Sequence, residues 1–186
     1  MSMSALISIK PKWCELIASG KKTVEVRKTK PNAILPLKCY IYCTKPSFPH
    51  EDYLVFDAGT NKVKAFYGGG KVIGEFVCHN IFPLSFYASE ASFFDTEPPM
   101  DVPGTCLTDK EIVDYLGNGK TGFGWLVSEL VIYDKPKELY EFRKLHCKRV
   151  SDCGTCKRFD RTNFVCMRPS FLTRPPQSWC YVEEEA

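Results

Sequence analysis

A short N-terminal segment places one carboxylate between two cations. Gly20, Lys22, Glu25 and Arg27 are separated by one, two and one residues. A carboxylate held between positive charges stays ionised and can orient its neighbours, which suits binding of an anion or of the polar edge of a base. The spacing alone leaves open a plain surface ion pair between Glu25 and Arg27.

A second group of reactive residues is a cluster of cysteines in the last 40 of the 186 residues. Cys153 and Cys156 are separated by two residues, so both thiolates can reach one tetrahedral ion at a Zn–S distance of about 2.3 Å. We predict one structural zinc ion bound by Cys153, Cys156, Cys166 and Cys180, with Cys147 as the spare or substitute ligand. Four thiolates leave no open position on the ion, so the zinc would stabilise rather than catalyse.

Two other uses of these cysteines remain open from the spacing. An iron–sulfur cluster takes the same ligands. A redox pair would need its two cysteines at the start of a helix in an α/β setting, which the surrounding sequence does not indicate.

Strands must position the charged motif and the cysteines, and alternating hydrophobicity predicts where these strands lie. The alternation predicts strands over residues 5–10, 22–28, 37–44, 71–84 and 123–133 and a hairpin near Asn61.

Two short helices are predicted as well. The first begins at Pro11, which suits the first helical position, and ends at Gly20 in a left-handed cap. The second has capping-box spacing between Thr108 and Glu111 and closes at Gly117.

These elements predict an α+β fold, a small mixed β-barrel with two short helices, because strand and helix do not alternate regularly. We place the barrel domain at residues 1–140 and a zinc-stapled, loop-rich tail at residues 141–186. The tail has too few apolar residues to hold itself together without a metal.

Charge is distributed unevenly beneath the formal net charge of +3. Residues 1–48 carry nine Lys and Arg against two Asp and Glu, residues 49–140 seven against 14, and residues 141–186 nine against six. An anionic partner would therefore meet the two ends of the chain first, although ordinary solubilising charge gives the same pattern.

Cysteine usage and hydropathy indicate a reducing compartment. The N-terminal residues have a charge and a proline where a secretory signal needs an apolar run, and no apolar stretch approaches the ~20 residues that span a bilayer. We expect a cytoplasmic protein without a membrane segment. The remaining five cysteines are scattered and are predicted to be small buried hydrophobes: Cys14, Cys39, Cys43, Cys78 and Cys106.

The spacing of Gly20, Lys22, Glu25 and Arg27 directly after a strand and helix resembles the signature of the ASCH family. Three further segments are similar to a bacterial and phage-associated branch of that family with a cysteine-rich tail: SIKPKW before the helix, the GW-LVSEL-IYDKP segment, and RPPQSWCYVEE. The resemblance covers roughly residues 5–140 for the domain itself.

This resemblance implies a PUA-like β-barrel with a cleft for RNA or a modified nucleoside, lined by the four motif residues. It also implies an alternative, since some ASCH proteins are amidohydrolases that remove an acyl group from cytidine and others have been described as ribonucleases. In that case Lys22 and Glu25 are the candidate catalytic residues. The companion threonine of the amidohydrolases falls at Glu25 here, so its role does not transfer.

Two tryptophans could stack on a bound base, which contributes roughly 1–3 kcal/mol. Trp13 and Trp125 both lie in the matching segments, although the helix stripe that contains Trp13 and the buried strand that Trp125 begins favour a core position for both. A third hypothesis treats the chain as a zinc-stabilised protein-interaction module from a mobile element.

Overall fold

The computed structural model consists mainly of β-strands, with two α-helices among the residues that it describes. It describes residues 3–45, 53–57, 62–66, 69–85, 103–144, 159–160, 165–166 and 171–184. The helices are α1 (Pro11–Ala18) and α2 (Asp109–Leu116). The strands are β1 (Ser4–Ile9), β2 (Val24–Arg27), β3 (Leu37–Cys43), β4 (Tyr53–Asp57), β5 (Lys62–Phe66), β6 (Lys71–Cys78), β7 (Ile81–Ser85), β8 (Thr121–Leu126), β9 (Ser128–Lys137), β10 (Phe142–Lys144), β11 (Phe159–Asp160), β12 (Val165–Cys166) and β13 (Trp179–Glu184).

The largest sheet has six strands in the order β10-β13-β1-β3-β6-β9. Strands β1 and β3 run parallel, with α1 between them in the chain, and the other neighbouring pairs are antiparallel. A second sheet has the order β2-β8-β7, and β4 and β5 pair as the predicted hairpin. The motif residues Glu25 and Arg27 therefore lie in the smaller sheet of three strands.

The prediction of a closed barrel is wrong, because the described strands form separate sheets. The predicted strand over 71–84 divides into β6 and β7, and the one over 123–133 divides into β8 and β9. At this corner the backbone N–H of Leu126 donates to the Asn80 carbonyl at 3.0 Å, and Glu129 takes a left-handed φ of +49°. The hydrophobic pattern continues through the corner, so it does not show where the chain leaves one sheet for the other.

The two predicted helices are confirmed with their boundaries. Helix α1 has Pro11 at its start and buries Cys14, Ile17 and Ala18 against the sheets. Helix α2 has the complete capping box: the Glu111 N–H donates to Thr108 Oγ1 at 3.2 Å, and the Thr108 N–H donates to Glu111 Oε2 at 2.9 Å. These bonds satisfy N–H groups that a helix start otherwise leaves unpaired.

The main core packs between α1 and the facing sides of the two sheets. It includes Ile7, Ile17, Ile41, Phe76 and Trp125, all fully buried. Four of the scattered cysteines are buried as predicted, namely Cys14, Cys39, Cys43 and Cys78, and the fifth, Cys106, is half-buried. A smaller cluster packs Val26 of β2 against Ile112 and Leu116 of α2, which fixes that helix beside the motif.

The segment predicted as a tail contributes to the main sheet. Strand β13 pairs with β1 on one side and with β10 on the other. Phe171 forms an antiparallel bridge with Arg143 of β10. Leu172 then packs on a cluster with Phe142 and Val182. Residues 145–170, which contain most of the cysteine cluster, are therefore bounded by two points that lie side by side.

Candidate functional site

The end of α1 positions the first cation of the motif. Gly20 has φ of +73°, a conformation that residues with a Cβ rarely adopt, and its N–H donates to the Ile17 carbonyl at 2.9 Å. The Lys22 N–H then donates to the Leu16 carbonyl, also at 2.9 Å. The predicted glycine cap is thus confirmed, and it ties the Lys22 backbone to the helix end.

Strand β2 brings the other two motif side chains to the same place. Residues two apart on a strand point to the same face, so Glu25 and Arg27 lie together. One Arg27 Nη atom is 2.8 Å from Glu25 Oε1, and Lys22 Nζ is 3.4 Å from Glu25 Oε2. The carboxylate therefore lies between the two cations, as the sequence predicts.

This cluster is buried, which excludes the plain surface ion pair. Lys22, Glu25 and Arg27 are only 2%, 6% and 6% exposed. Both cations also donate to backbone carbonyls: Lys22 Nζ donates to Thr105 O at 2.6 Å, and Arg27 donates to Ser8 O at 2.7 Å. Buried charges are tolerated only when paired and hydrogen-bonded in this way. Among the described residues, the buried Nε of Arg27 has no hydrogen-bond partner.

Burial changes the acid–base behaviour of the cluster. It lowers the pKa of Lys22 from its ordinary value, because desolvation disfavours the ammonium form, while the nearby Glu25 carboxylate acts in the opposite direction. Burial also raises the pKa of Tyr115, whose phenol lies beside Arg27. The phenol stays protonated at neutral pH, and the ammonium of Lys22 is easier to deprotonate than that of an exposed lysine.

The three charged residues line an open cleft of about 430 Å³. This volume is within the range of about 300–1,000 Å³ that is usual for small-molecule sites. The floor holds the buried cluster, the wall on the side of α1 holds Lys10 and Trp13, and the wall on the side of α2 holds Leu107, Glu111, Asp114 and Tyr115. The cleft thus combines aromatic surface with a few converging polar groups.

The two tryptophans have different positions. Trp13 lines the cleft and is half-buried, with Lys22 Nζ at 5.3 Å from its ring centre. Trp125 is fully buried, pairs with Glu25 across β2 and β8, and packs edge-on against Trp179 at 5.5 Å between ring centres. Trp125 therefore supports the strand beneath Glu25, and it is not among the residues that line the cleft.

Sequence reasoning missed the α2 wall. Asp114 and Tyr115 were predicted only as helix residues, although Tyr115 is 38% exposed and lines the cleft. A signal was available, since an aromatic residue on the polar side of an amphipathic helix lacks a core role. The sequence alone does not predict which other element the polar side of α2 faces.

The predicted zinc ligands are mostly beyond the described residues. Cys147, Cys153 and Cys156 lie outside them, and for Cys166 only the backbone pairing of β12 with β11 is described. Cys180 on β13 is half-buried, and burial raises the pKa of its thiol to about 11. Among the described residues, no group of three or more His, Cys, Asp or Glu side chains could hold a metal.

Comparisons with known proteins support the fold. Two point-mutant structures of the ASCH protein of Zymomonas mobilis each match with a TM-score of 0.53 and 19% identity over 97% of this chain. The matches cover 90% and 88% of those chains. No family model matches the sequence, and no curated protein matches it. The chain therefore has a fold similar to that of these ASCH structures, dominated by sheets with two helices.

No helix in the described ranges is long and apolar enough to cross a bilayer.

Proposed function

We propose that this protein binds RNA or a modified nucleoside in the cleft above Lys22, Glu25 and Arg27. The observation that carries the proposal is the burial of these three charges at the floor of an open cleft of about 430 Å³. A charge cluster needed only for stability is often replaceable by apolar residues without loss. Here it faces a space large enough for a ligand.

The geometry suggests a role for each group. Lys22 and Arg27 can donate to carbonyl or phosphate oxygens, and Glu25 can accept from a base amine while it holds Arg27 at 2.8 Å. Trp13 offers aromatic surface for a base, worth roughly 1–3 kcal/mol when a base stacks on it. This combination of a planar apolar contact and converging donors and acceptors fits a nucleobase.

Binding can be tested by titrating cytidine, N4-acetylcytidine and a short RNA into the protein. Trp13→Ala should weaken binding at least tenfold, and Lys22→Glu with Arg27→Glu should abolish it. Tyr140→Ala is the matched control, because Tyr140 is an exposed aromatic residue (64%) outside the cleft. Circular dichroism must show that each variant is folded. Unchanged affinity in folded Trp13→Ala and in the charge-reversed variant would overturn the proposal.

The lowered pKa of Lys22 favours a second candidate function, that of an enzyme. A neutral Lys22 could take a proton from a water molecule that attacks the carbonyl carbon of the amide on an acylated base, and could then give this proton to the leaving amine as the C–N bond breaks. Glu25, held between two cations, would orient Lys22. Thr23, the threonine next to Lys22, is not among the residues that line the cleft.

Incubation with N4-acylcytidines and with labelled RNA distinguishes the two candidates. The enzyme hypothesis requires cytidine and a carboxylic acid, or RNA fragments, to accumulate with wild-type protein and to be lost with Lys22→Ala. Ligand binding without turnover leaves the binding function and excludes the enzyme for those substrates.

We also propose one structural zinc ion bound by four of the cysteines 147, 153, 156, 166 and 180. The Arg143–Phe171 bridge supports this, because it brings the two ends of residues 145–170 together beside the strand that carries Cys180. A bound metal could hold residues 145–170 against the main sheet. Elemental analysis of protein purified without added zinc should give about one equivalent. No metal, with the thiols of the C-terminal cysteine cluster titrating freely in the folded protein, would refute the site.

A further inference from the structure

Two exposed lysines cover aromatic residues that line the cleft. Lys12 Nζ is 4.6 Å from the ring centre of Trp13, and Lys28 Nζ is 5.1 Å from the ring centre of Tyr115. Both distances are within the range of a cation–π contact. Each lysine is therefore held beside the cleft rather than extended freely into solvent.

The two pairs belong to opposite sides of the cleft. Lys12 and Trp13 lie on α1, whereas Tyr115 lies on α2 and Lys28 directly follows β2. Neither lysine lines the cleft itself, and both are exposed. We call Lys12 and Lys28 the rim lysines.

The interior of the cleft is neutral in formal charge. Three cations line it and three carboxylates line it: Lys10, Lys22, Arg27, Glu25, Glu111 and Asp114. The two buried cations are already bound to Glu25 and to backbone carbonyls. A phosphate at the floor would therefore compete with these existing contacts of Lys22 and Arg27, whereas an uncharged base meets aromatic surface and hydrogen-bonding groups.

In contrast to the neutral interior, the rim lysines contribute only positive charge. Within the described part of the chain, neither Lys12 nor Lys28 forms an ion pair, so both keep their charge available for a ligand. A third pair continues the series on the β2 side, with Lys30 Nζ at 5.4 Å from the ring of Phe123. Phe123 pairs with Arg27 across the strands, so this pair adjoins the cleft floor.

We propose that the ligand is an internal nucleotide of single-stranded RNA, with its base in the cleft and the phosphates on its two sides bound by the rim lysines Lys12 and Lys28. Lys30 extends the path by another phosphate. This inference rests on the proposed function of the cleft, and it selects a polynucleotide over a free nucleoside. Alternating aromatic rings and cations are the usual means by which proteins follow a single strand.

Salt dependence tests the inference directly. Each phosphate neutralised on a single strand contributes about 0.7 to the slope of log affinity against log salt. Fluorescence anisotropy with a labelled nine-nucleotide RNA, from low to high salt, should give a slope that is smaller by about 0.7 in Lys12→Gln and in Lys28→Gln, and by about 1.4 in the double variant.

Two controls separate this inference from the proposed function. Lys135→Gln removes an exposed lysine from β9, which does not line the cleft, and should leave the slope close to that of the wild type. Affinity for the free nucleoside, followed by tryptophan fluorescence, should be the same in wild type and in both rim variants, because a nucleoside carries no phosphate.

Each possible result of these measurements leads to a different conclusion. Slopes of the rim variants equal to that of the wild type would overturn the inference. Nucleoside binding without RNA binding would also overturn it and leave the proposed function standing. Failure of the wild type to bind either probe would overturn both.

Discussion

The buried cluster of Lys22, Glu25 and Arg27 has one negative charge for two positive ones. Its stability at the cleft floor depends on Glu25, because this carboxylate binds both cations, whereas the backbone carbonyls of Thr105 and Ser8 each accept from one of them. Removal of one member of a buried pair leaves an uncompensated charge, which is far more harmful than the loss of a surface pair.

Glu25→Gln should therefore lower the free energy of unfolding by about 3–5 kcal/mol. Chemical denaturation measures this change. Glu129→Gln, which alters an exposed contact between the Glu129 carboxylate and His79, is the control and should change stability by at most about 1 kcal/mol. Equal effects of the two substitutions would show that the buried cluster does not stabilise the fold.

The pKa of Lys22 should respond to the same substitution. Glu25 raises this pKa against the larger effect of burial, so Glu25→Gln should lower it further. Between the folded pKa and the ordinary value, the unfolded chain binds a proton that the folded chain does not, so stability should rise with pH in that window. NMR titration of the lysine side chain measures the pKa, and a rise in the variant would contradict the assignment.

At the scale of elements, the site depends on two helix ends. The end of α1 delivers Lys22, and the start of α2 supports the wall with Asp114 and Tyr115. Both ends were predicted from local signals, the glycine and the capping box, because these act over a few residues of sequence. The meeting of the two helices at one cleft requires tertiary packing of Val26 against α2, which no local pattern contains.

Gly20→Ala should destabilise the protein by about 1–2 kcal/mol through the backbone alone. Apart from its chain neighbours, no atom of the described residues lies within 4 Å of a Cβ added at Gly20, so the strain arises from the left-handed φ of +73°. Gly20→Asn should cost less, because asparagine tolerates this conformation better. Thermal unfolding of the two variants provides the test, and equal losses would point to a steric cause.

Thr108→Ala should reduce stability by about 1 kcal/mol, since it removes the acceptor for the Glu111 N–H. Thr108→Ser keeps the hydroxyl and should behave almost as wild type. Ligand affinity measured beside stability would show whether fraying of α2 disturbs the cleft wall. A loss that is the same for alanine and serine would argue against the capping role.

For the whole molecule, the sequence predicts where most helices and strands lie, but it does not predict how the strands are divided among separate sheets. The sequence identifies nearly all residues of β1, β2 and β3 as short β-branched or alternating segments, and the structure buries both faces of these strands along most of their length. It fails at His79–Asn80 and at Val127, where the chain changes sheets without a change in hydrophobic pattern. Strand partners that are distant in sequence, such as β1 with β13, are likewise absent from any local signal.

Removal of the proposed zinc should affect one region selectively. A chelator should increase hydrogen exchange of residues 145–170, while amides of β3 and β6, which are paired in the centre of the main sheet, stay protected. Cys153→Ser with Cys156→Ser should reproduce the effect without chelator. Unchanged hydrogen exchange in both experiments would contradict the proposal that a metal stabilises residues 145–170.

Ser8 joins the cleft floor to the far end of the chain. Its carbonyl accepts from Arg27 at 2.7 Å, its N–H donates to Ser178 O at 2.9 Å, and its hydroxyl donates to Pro176 O at 2.6 Å. During synthesis, Arg27 and Ser8 leave the ribosome long before residues 176–178 do. The cleft floor therefore reaches its final form late in translation, so a nascent or C-terminally truncated chain should not yet bind its ligand.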